Sequence, residues 1–197
     1  MPGDGWSLRP GRYLIYKFFN SLFLGLSVGT IFVIYEPLDP SVYSLGGILL
    51  ALAMLGIAQL YHRIMTLKWF FRISLLVELV VLAMILWFLA FPYTWLTALL
   101  VYAGYQLTFS FGSYLVRAET LALEEDELLR RVDSAKQLGY LAGMALSWLL
   151  YKAFELSGIV DKQAKVYELH WALLGVEILI LFFLIRSFEK KSMVNSR

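Results

Sequence analysis

Two glutamates lie within long apolar stretches of the chain, where an ionisable side chain could bind a proton or another cation. Glu78 belongs to VELVVLAMIL, which begins at Val77, and Glu177 belongs to VEILILFFLI, which begins at Val176. Ionisable groups inside a membrane are costly and often functional. Each glutamate is therefore a candidate ion-binding or coupling residue. The alternative is that each binds a neighbouring polar group and fixes helix packing.

Small polar residues recur at helical spacing in two other apolar stretches, and they could line a path for a polar solute. The candidate path residues are Asn20, Ser27 and Thr30 in the first stretch, and Tyr102, Gln106, Ser110 and Ser113 in the second. Small polar residues also let helices pack closely and form hydrogen bonds between helices. The pattern is compatible with both interpretations.

The composition places the chain in a membrane and argues against an enzyme. Hydrophobic residues make up 60% of its 197 residues, and charged residues make up 16%, against about a quarter in soluble domains. No histidine or aspartate lies deep in an apolar stretch, and no glycine-rich phosphate loop or metal-ligand cluster is present. We therefore expect no enzyme activity, no cofactor, no metal site and no nucleic-acid partner.

Six segments are long and apolar enough to be transmembrane helices, each of which needs about 20 residues. They are 13–35, 42–61, 69–90, 95–116, 134–154 and 167–187. The sequence thus predicts an all-α polytopic protein with one membrane domain over 1–197.

The basic residues predict the orientation of these spans. Lys152, Lys162 and Lys165 are the exceptions among 17 Lys and Arg residues, since the others fall on the opposite side of the membrane. They include the basic loop of Arg63, Lys68 and Arg72 between the second and third spans. Because basic loops stay inside, we expect the N and C termini to be cytoplasmic. We also expect an integral protein of the bacterial inner membrane.

One short stretch occurs twice. SVGTIFVIYE at 27–36 resembles SFGSYLVRAE at 110–119, and Val77–Glu78 recurs as Val176–Glu177. Because each unit contains three spans, the second unit is inverted in the membrane. The sequence predicts two inverted three-helix repeats, repeat one over 13–90 and repeat two over 95–187, with a cytoplasmic loop at 117–133.

The chain resembles half of a major facilitator superfamily transporter. The loop AQLYHRIMTLKWFFR at 58–72 keeps the basic character of that family's loop between spans two and three, although its glycine and aspartate are missing. RAETLALEEDELLRRVDSAKQLGYLAG at 117–143 resembles the loop before span five and the start of that span. The family uses twelve spans with spans one and four beside the path, so the resemblance implies a homodimer of this six-span chain.

Two functions follow as hypotheses. The first is a small-solute transporter, a homodimer of six-span halves that works by alternating access and is possibly proton-coupled; its partners are the lipid bilayer, a second copy and an unidentified solute. The second is a non-transporting membrane scaffold or accessory subunit that binds a partner protein through the charged segment from Glu119 to Arg131 and through its lipid-facing surfaces.

Overall fold

The computed structural model describes residues 5–190, and helices make up nearly all of that part of the chain. The elements in order are β1 (Trp6–Leu8), α1 (Pro10–Ser27), α2 (Ile31–Ile34), α3 (Pro40–Gln59), α4 (Tyr61–Ile64), α5 (Leu67–Ala90), α6 (Trp95–Ser110), α7 (Gly112–Leu123), α8 (Asp126–Leu156), α9 (Lys162–Ser187) and β2 (Phe188–Lys190). The predicted all-α class is confirmed. Lys191 and Arg197, two of the basic residues used for the orientation, lie outside the described residues.

Side chains of Asp and Thr mark where four of the long helices begin. Each accepts a hydrogen bond from a backbone N–H of the first turn, which satisfies one of the donors that a helix leaves unpaired. The capping residues are Asp39, Thr66, Thr94 and Asp161. The sequence therefore fixes these helix starts locally.

Three helices are long and apolar enough to cross a membrane, judged by length and composition. They are α3, α5 and α9. They correspond to the predicted spans 42–61, 69–90 and 167–187.

Two predicted spans are interrupted rather than continuous. The span predicted at 13–35 contains α1 and α2 with a turn at 28–30 between them, and the span predicted at 95–116 contains α6 followed by α7 after a turn at Phe111. Both interruptions follow a serine of the repeated stretch. Ser27 bonds to the carbonyl of Leu24, and Ser110 bonds to the carbonyl of Leu107. Such bonds from Ser to a preceding carbonyl compete with the regular helix ladder and bend helices.

Helix α1 lies at the centre of the bundle and packs closely on α8. Gly139 and Gly143 of α8 face the backbone of α1, so that a Cβ atom on Gly143 would lie 2.9 Å from the nitrogen of Leu26 and closer still to the carbonyl oxygen of Leu22. Glycines at this spacing let helix backbones approach closely. The sequence pattern therefore forms an internal helix contact.

The remaining helices are arranged around this pair. Helix α9 packs against α1 and α5, while α6 packs against α5 and α3. Helix α3 is peripheral, since Gly46 is the one residue of this helix that is buried. Its apolar side chains, such as Leu52 and Leu55, stay exposed.

The two ends of the described chain are joined by a small sheet that the sequence did not predict. Strands β1 and β2 pair antiparallel, with Ser7 opposite Glu189. Arg9 donates hydrogen bonds to the Glu189 carboxylate and, from its backbone, to the carbonyl of Ser187. The beginning of α1 and the end of α9 therefore lie at the same end of the bundle.

Candidate functional site

One face of α1 carries four polar side chains into the bundle. Tyr13, Tyr16, Lys17 and Asn20 are spaced three or four residues apart, which places them on one side of a helix. Tyr13 and Tyr16 are buried, and Lys17 and Asn20 are partly buried. These side chains bond to Glu78 and Glu119 of other helices. Together with these two glutamates, Glu177 and Lys136, they form what we call the buried charge cluster.

Glu78 on α5 is held by two of these side chains. The Tyr16 hydroxyl donates a 2.7 Å hydrogen bond to Glu78 Oε1, and Asn20 Nδ2 donates one of 3.0 Å to the same oxygen. Glu78 is 2% exposed. The structure thus places the path candidate Asn20 against the coupling candidate Glu78, which the sequence assigned to separate roles.

Glu177 on α9 is fully buried. Neither of its carboxylate oxygens has a hydrogen-bond partner in the part of the chain that the structure describes. Its charge and that of Glu78 would repel each other, because the two carboxyl groups lie close together across the contact between α5 and α9. A buried ionised carboxylate without a donor or a cation is strongly unfavourable. These surroundings favour the neutral form of the Glu177 carboxyl group over the ionised form.

Glu119 on α7 is the third glutamate, and sequence reasoning placed it in the cytoplasmic loop instead. It is 4% exposed. The Tyr13 hydroxyl donates a 2.7 Å hydrogen bond to Glu119 Oε1, Lys17 Nζ lies 3.1 Å from the same oxygen, and Lys136 of α8 binds Oε2. Two cations and one hydroxyl donor therefore stabilise the ionised form of Glu119.

Lys17 stands between the two tyrosine–glutamate pairs. Its ammonium lies 5.6 Å from the centre of the Tyr13 ring and 5.4 Å from the centre of the Tyr16 ring. Tyr13 bonds to Glu119 and Tyr16 bonds to Glu78. The cation therefore contacts one pair directly and acts on the other through space.

The other path candidates of the first span lie deeper in the bundle. Ser27 interacts with the Tyr105 hydroxyl of α6. Thr30 donates to the carbonyl of Ser27, with an oxygen–oxygen distance of 2.7 Å. Thr30, Tyr105 and His170 line an internal cavity of about 20 Å³, which is enough for about one water molecule.

The path candidates of the fourth span lie in a different place. Tyr102, Gln106 and Ser110 line a groove between α3 and α6 with a volume of about 320 Å³, whose other walls are apolar. Tyr102 donates to the carbonyl of Tyr43 at 3.1 Å. Gln106 Oε1 is buried and accepts no hydrogen bond from any described residue. Ser113 lies beyond the helix break and is exposed.

The predicted basic loop is exposed at the ends of α4 and α5. Arg63 donates to the ring of the neighbouring His62, and Arg72 stacks over Trp69 at 5.3 Å. Lys68 is also exposed. The three residues are separate from the buried charge cluster.

No protein-family model, curated protein or solved structure matches the chain. The comparisons therefore leave the resemblance to the major facilitator superfamily without a second line of support, and the site must be interpreted from its own geometry.

Proposed function

We propose that the protein is a small-solute membrane transporter that works by alternating access as a homodimer of six-span halves, coupled to the movement of an ion. The observation that carries this proposal is Glu177, a fully buried carboxyl group without a partner among the described residues, beside Glu78. A carboxyl pair at membrane depth is costly for stability. Binding and release of an ion explains why the chain contains it.

The helices support six spans with both termini in the cytoplasm. Helices α3, α5 and α9 are the apolar ones, and α1–α2, α6–α7 and α8 are the three further spans in this proposal. The first of these further spans carries Lys17 and the third carries Lys136, and both lysines are matched by Glu119. Charged residues inside a membrane pair in this way. The sheet of β1 with β2 agrees with an even number of spans.

The helix contacts support two inverted repeats. In the two repeats, α1 corresponds to α6, α3 to α8 and α5 to α9. The contact of α1 with α8 then corresponds to that of α6 with α3, and the contact of α1 with α9 corresponds to that of α6 with α5. The contact of α5 with α9 maps onto itself. The helix breaks after Ser27 and Ser110 also occupy equivalent positions.

The surface supports a homodimer in the membrane. Most apolar side chains of α3 are exposed, including Leu52 and Leu55, and the groove of Gln106 and Tyr102 opens beside this helix. A resemblance to half of a twelve-span family implies that a second copy completes the transport path. In this proposal the copy covers the groove, and its own Gln106 faces the same path.

Labelling of single cysteines tests the path, since the chain contains no cysteine. Ser27→Cys, Gln106→Cys and Ser113→Cys are reacted with a membrane-impermeant maleimide in proteoliposomes. Only a thiol in contact with water ionises and reacts, so we expect labelling at all three positions. Leu52→Cys on α3 is the matched control. Leu52 is 59% exposed and faces lipid in this proposal, so its cysteine stays unlabelled. Protection of all three would contradict a water-filled path.

A non-transporting scaffold is the second candidate, and one observation favours it. The hydroxyls of Ser27, Thr30 and Ser110 each donate to the backbone carbonyl three residues earlier, so these donors are already engaged within the chain. Because Glu119 is buried, the docking surface of such a scaffold reduces to the charged segment 124–131. Protection of the three cysteines, together with a stable complex formed through 124–131, is the outcome expected for this alternative.

A further inference from the structure

The buried charge cluster contains three carboxyl groups and two ammonium groups, and both ammonium groups sit on the same carboxylate. Lys17 and Lys136 bind Glu119. Glu78 and Glu177, deeper in the bundle, have no ammonium group within salt-bridge distance in the described chain. Among the described residues, Glu119 therefore holds both ammonium groups, and the Glu78–Glu177 pair holds neither.

The groups around the deep pair select a proton over a metal ion. Tyr16 and Asn20 point an O–H and an N–H at Glu78, and the Lys17 ammonium is the nearest cation to it. Metal ions such as calcium need six or more oxygen ligands, whereas these neighbours are hydrogen-bond donors. Donors stabilise a carboxylate and repel a metal ion.

We propose that the Glu78–Glu177 pair holds one exchangeable proton, and that Lys17 is its mobile counter-ion, moving from Glu119 to Glu78 when that proton leaves. The step breaks the O–H bond of one carboxyl group and releases the proton to water. The pair then becomes more negative by one charge, which the ammonium of Lys17 neutralises. No electron transfer takes part. The inference names the coupling ion and so rests on the proposed function.

The geometry provides both end positions of Lys17. Its ammonium lies at nearly equal distances from the rings of Tyr13 and Tyr16. The Tyr13 hydroxyl donates a 2.7 Å hydrogen bond to Glu119, and the Tyr16 hydroxyl donates one of 2.7 Å to Glu78. A lysine ammonium on its flexible four-carbon stem can exchange between two such positions by side-chain rotation. Movement of the helices is not required.

Lys136 lowers the free energy needed for Lys17 to leave Glu119. It binds Glu119 Oε2, while Lys17 lies near Oε1. When Lys17 leaves, Glu119 keeps one ammonium group and the Tyr13 hydroxyl. A single lysine at Glu119 would instead leave a buried carboxylate without a cation when it moved away, which is strongly unfavourable.

The proton equilibrium of the deep pair depends on several neighbours. The titratable and charged groups that face it are Tyr13, Tyr16 and Lys17 of α1, Tyr105 of α6, and, one step further, Glu119 of α7 and Lys136 of α8. Lys136 lies between Glu119 and Asp133, whereas Lys17 is the cation among them that lies between Glu119 and the deep pair.

Solid-state NMR on the full protein in lipid bilayers tests the exchange without a transported solute. The dephasing of Lys17 ¹⁵Nζ by glutamate ¹³Cδ is measured between about pH 4 and about pH 10, the interval between the usual values of glutamate and lysine. We expect Glu119 to cause the dephasing at low pH and Glu78 to cause it at high pH. Glu119→Gln and Glu78→Gln assign the two signals.

Two further variants separate exchange from simple charge effects. Lys136→Gln leaves Glu119 dependent on Lys17, so the exchange shifts to higher pH by about one unit, the size typical of one nearby charge. Lys152→Gln removes an exposed lysine that pairs with Glu155 and leaves the exchange unchanged. Dephasing by Glu119 at every pH, while an infrared carboxyl band lost in Glu177→Gln still titrates, overturns the mobile counter-ion.

An infrared band that does not titrate in this interval overturns the proton site itself. The proposed transport function is tested separately by the cysteine labelling. If Lys17 still exchanges while all three path cysteines are protected, the mobile counter-ion is supported and the transport function is contradicted.

Discussion

Replacing Gly143 of α8 by alanine tests how closely α1 and α8 pack. A Cβ atom at this position would lie 2.9 Å from the nitrogen of Leu26 and closer to the carbonyl oxygen of Leu22, whereas ordinary contacts begin at about 3.4 Å. The obstacle is helix backbone, which no rotamer change can relieve. Helix α1 must therefore shift, and the hydrogen bonds of its buried polar face must shift with it.

The magnitude follows from two opposing effects. An added methyl group in a tightly packed contact costs about 1–3 kcal/mol, while alanine gains up to about 1 kcal/mol over glycine in a helix. Gly175→Ala in α9 is the matched control, because its Cβ would meet no described atom within 4 Å. The gain in helix propensity is common to both variants, so the difference between them is the packing cost, about 1–3 kcal/mol.

Thermal unfolding of both variants in lipid nanodiscs, followed by circular dichroism, gives the comparison. We expect Gly143→Ala to unfold at a lower temperature than the wild type and Gly175→Ala to unfold at the same or a higher temperature. Equal unfolding temperatures for the two variants would refute the close packing of α1 on α8.

Three further predictions concern the polar contacts. Tyr16→Phe leaves Glu78 with one donor fewer in a buried place, and we expect a loss of about 1–2 kcal/mol in unfolding free energy, measured by denaturant titration; no loss would show that the bond is absent. Because Glu119 lies between the ammonium groups of Lys17 and Lys136, acid that protonates Glu119 removes this attraction and its contribution to stability. The unfolding temperature of Glu119→Gln should therefore fall less than that of the wild type in acid, and parallel curves would contradict this. Arg9→Ala removes an ion pair with Glu189 whose side chains are 42% and 49% exposed, so unfolding should change by only about 0–1 kcal/mol; a larger loss would mean that the terminal sheet depends on this pair.

Long apolar runs predicted α3, α5 and α9, but the interruptions of the first and fourth predicted spans were not predicted. Thr66 and Thr94, which cap the starts of α5 and α6, are further local signals. No proline marks the turns at 28–30 and at Phe111. Whether a helix continues there depends on serine side-chain bonds and on packing, which a single apolar run does not reveal.

The sequence singled out some members of the buried charge cluster and missed others. Glu78 and Glu177 stood out because a charge in an apolar run is visible in the sequence, but the donors of Glu78 on α1 depend on tertiary contacts. Glu119 was missed because it lies in a charged segment. One signal was available: Tyr114, Ala118, Glu119 and Leu123 form one buried face of α7. That periodicity separates Glu119 from the exposed charges that follow.

The number of copies in the purified protein tests the central claim most directly. Native mass spectrometry of the protein released from lipid nanodiscs gives this number, with the chain mass of 22.6 kDa as the unit. The proposal of two six-span halves around one path predicts two copies. A stable single copy would leave the groove of α3 and α6 without its second half and would contradict the transporter.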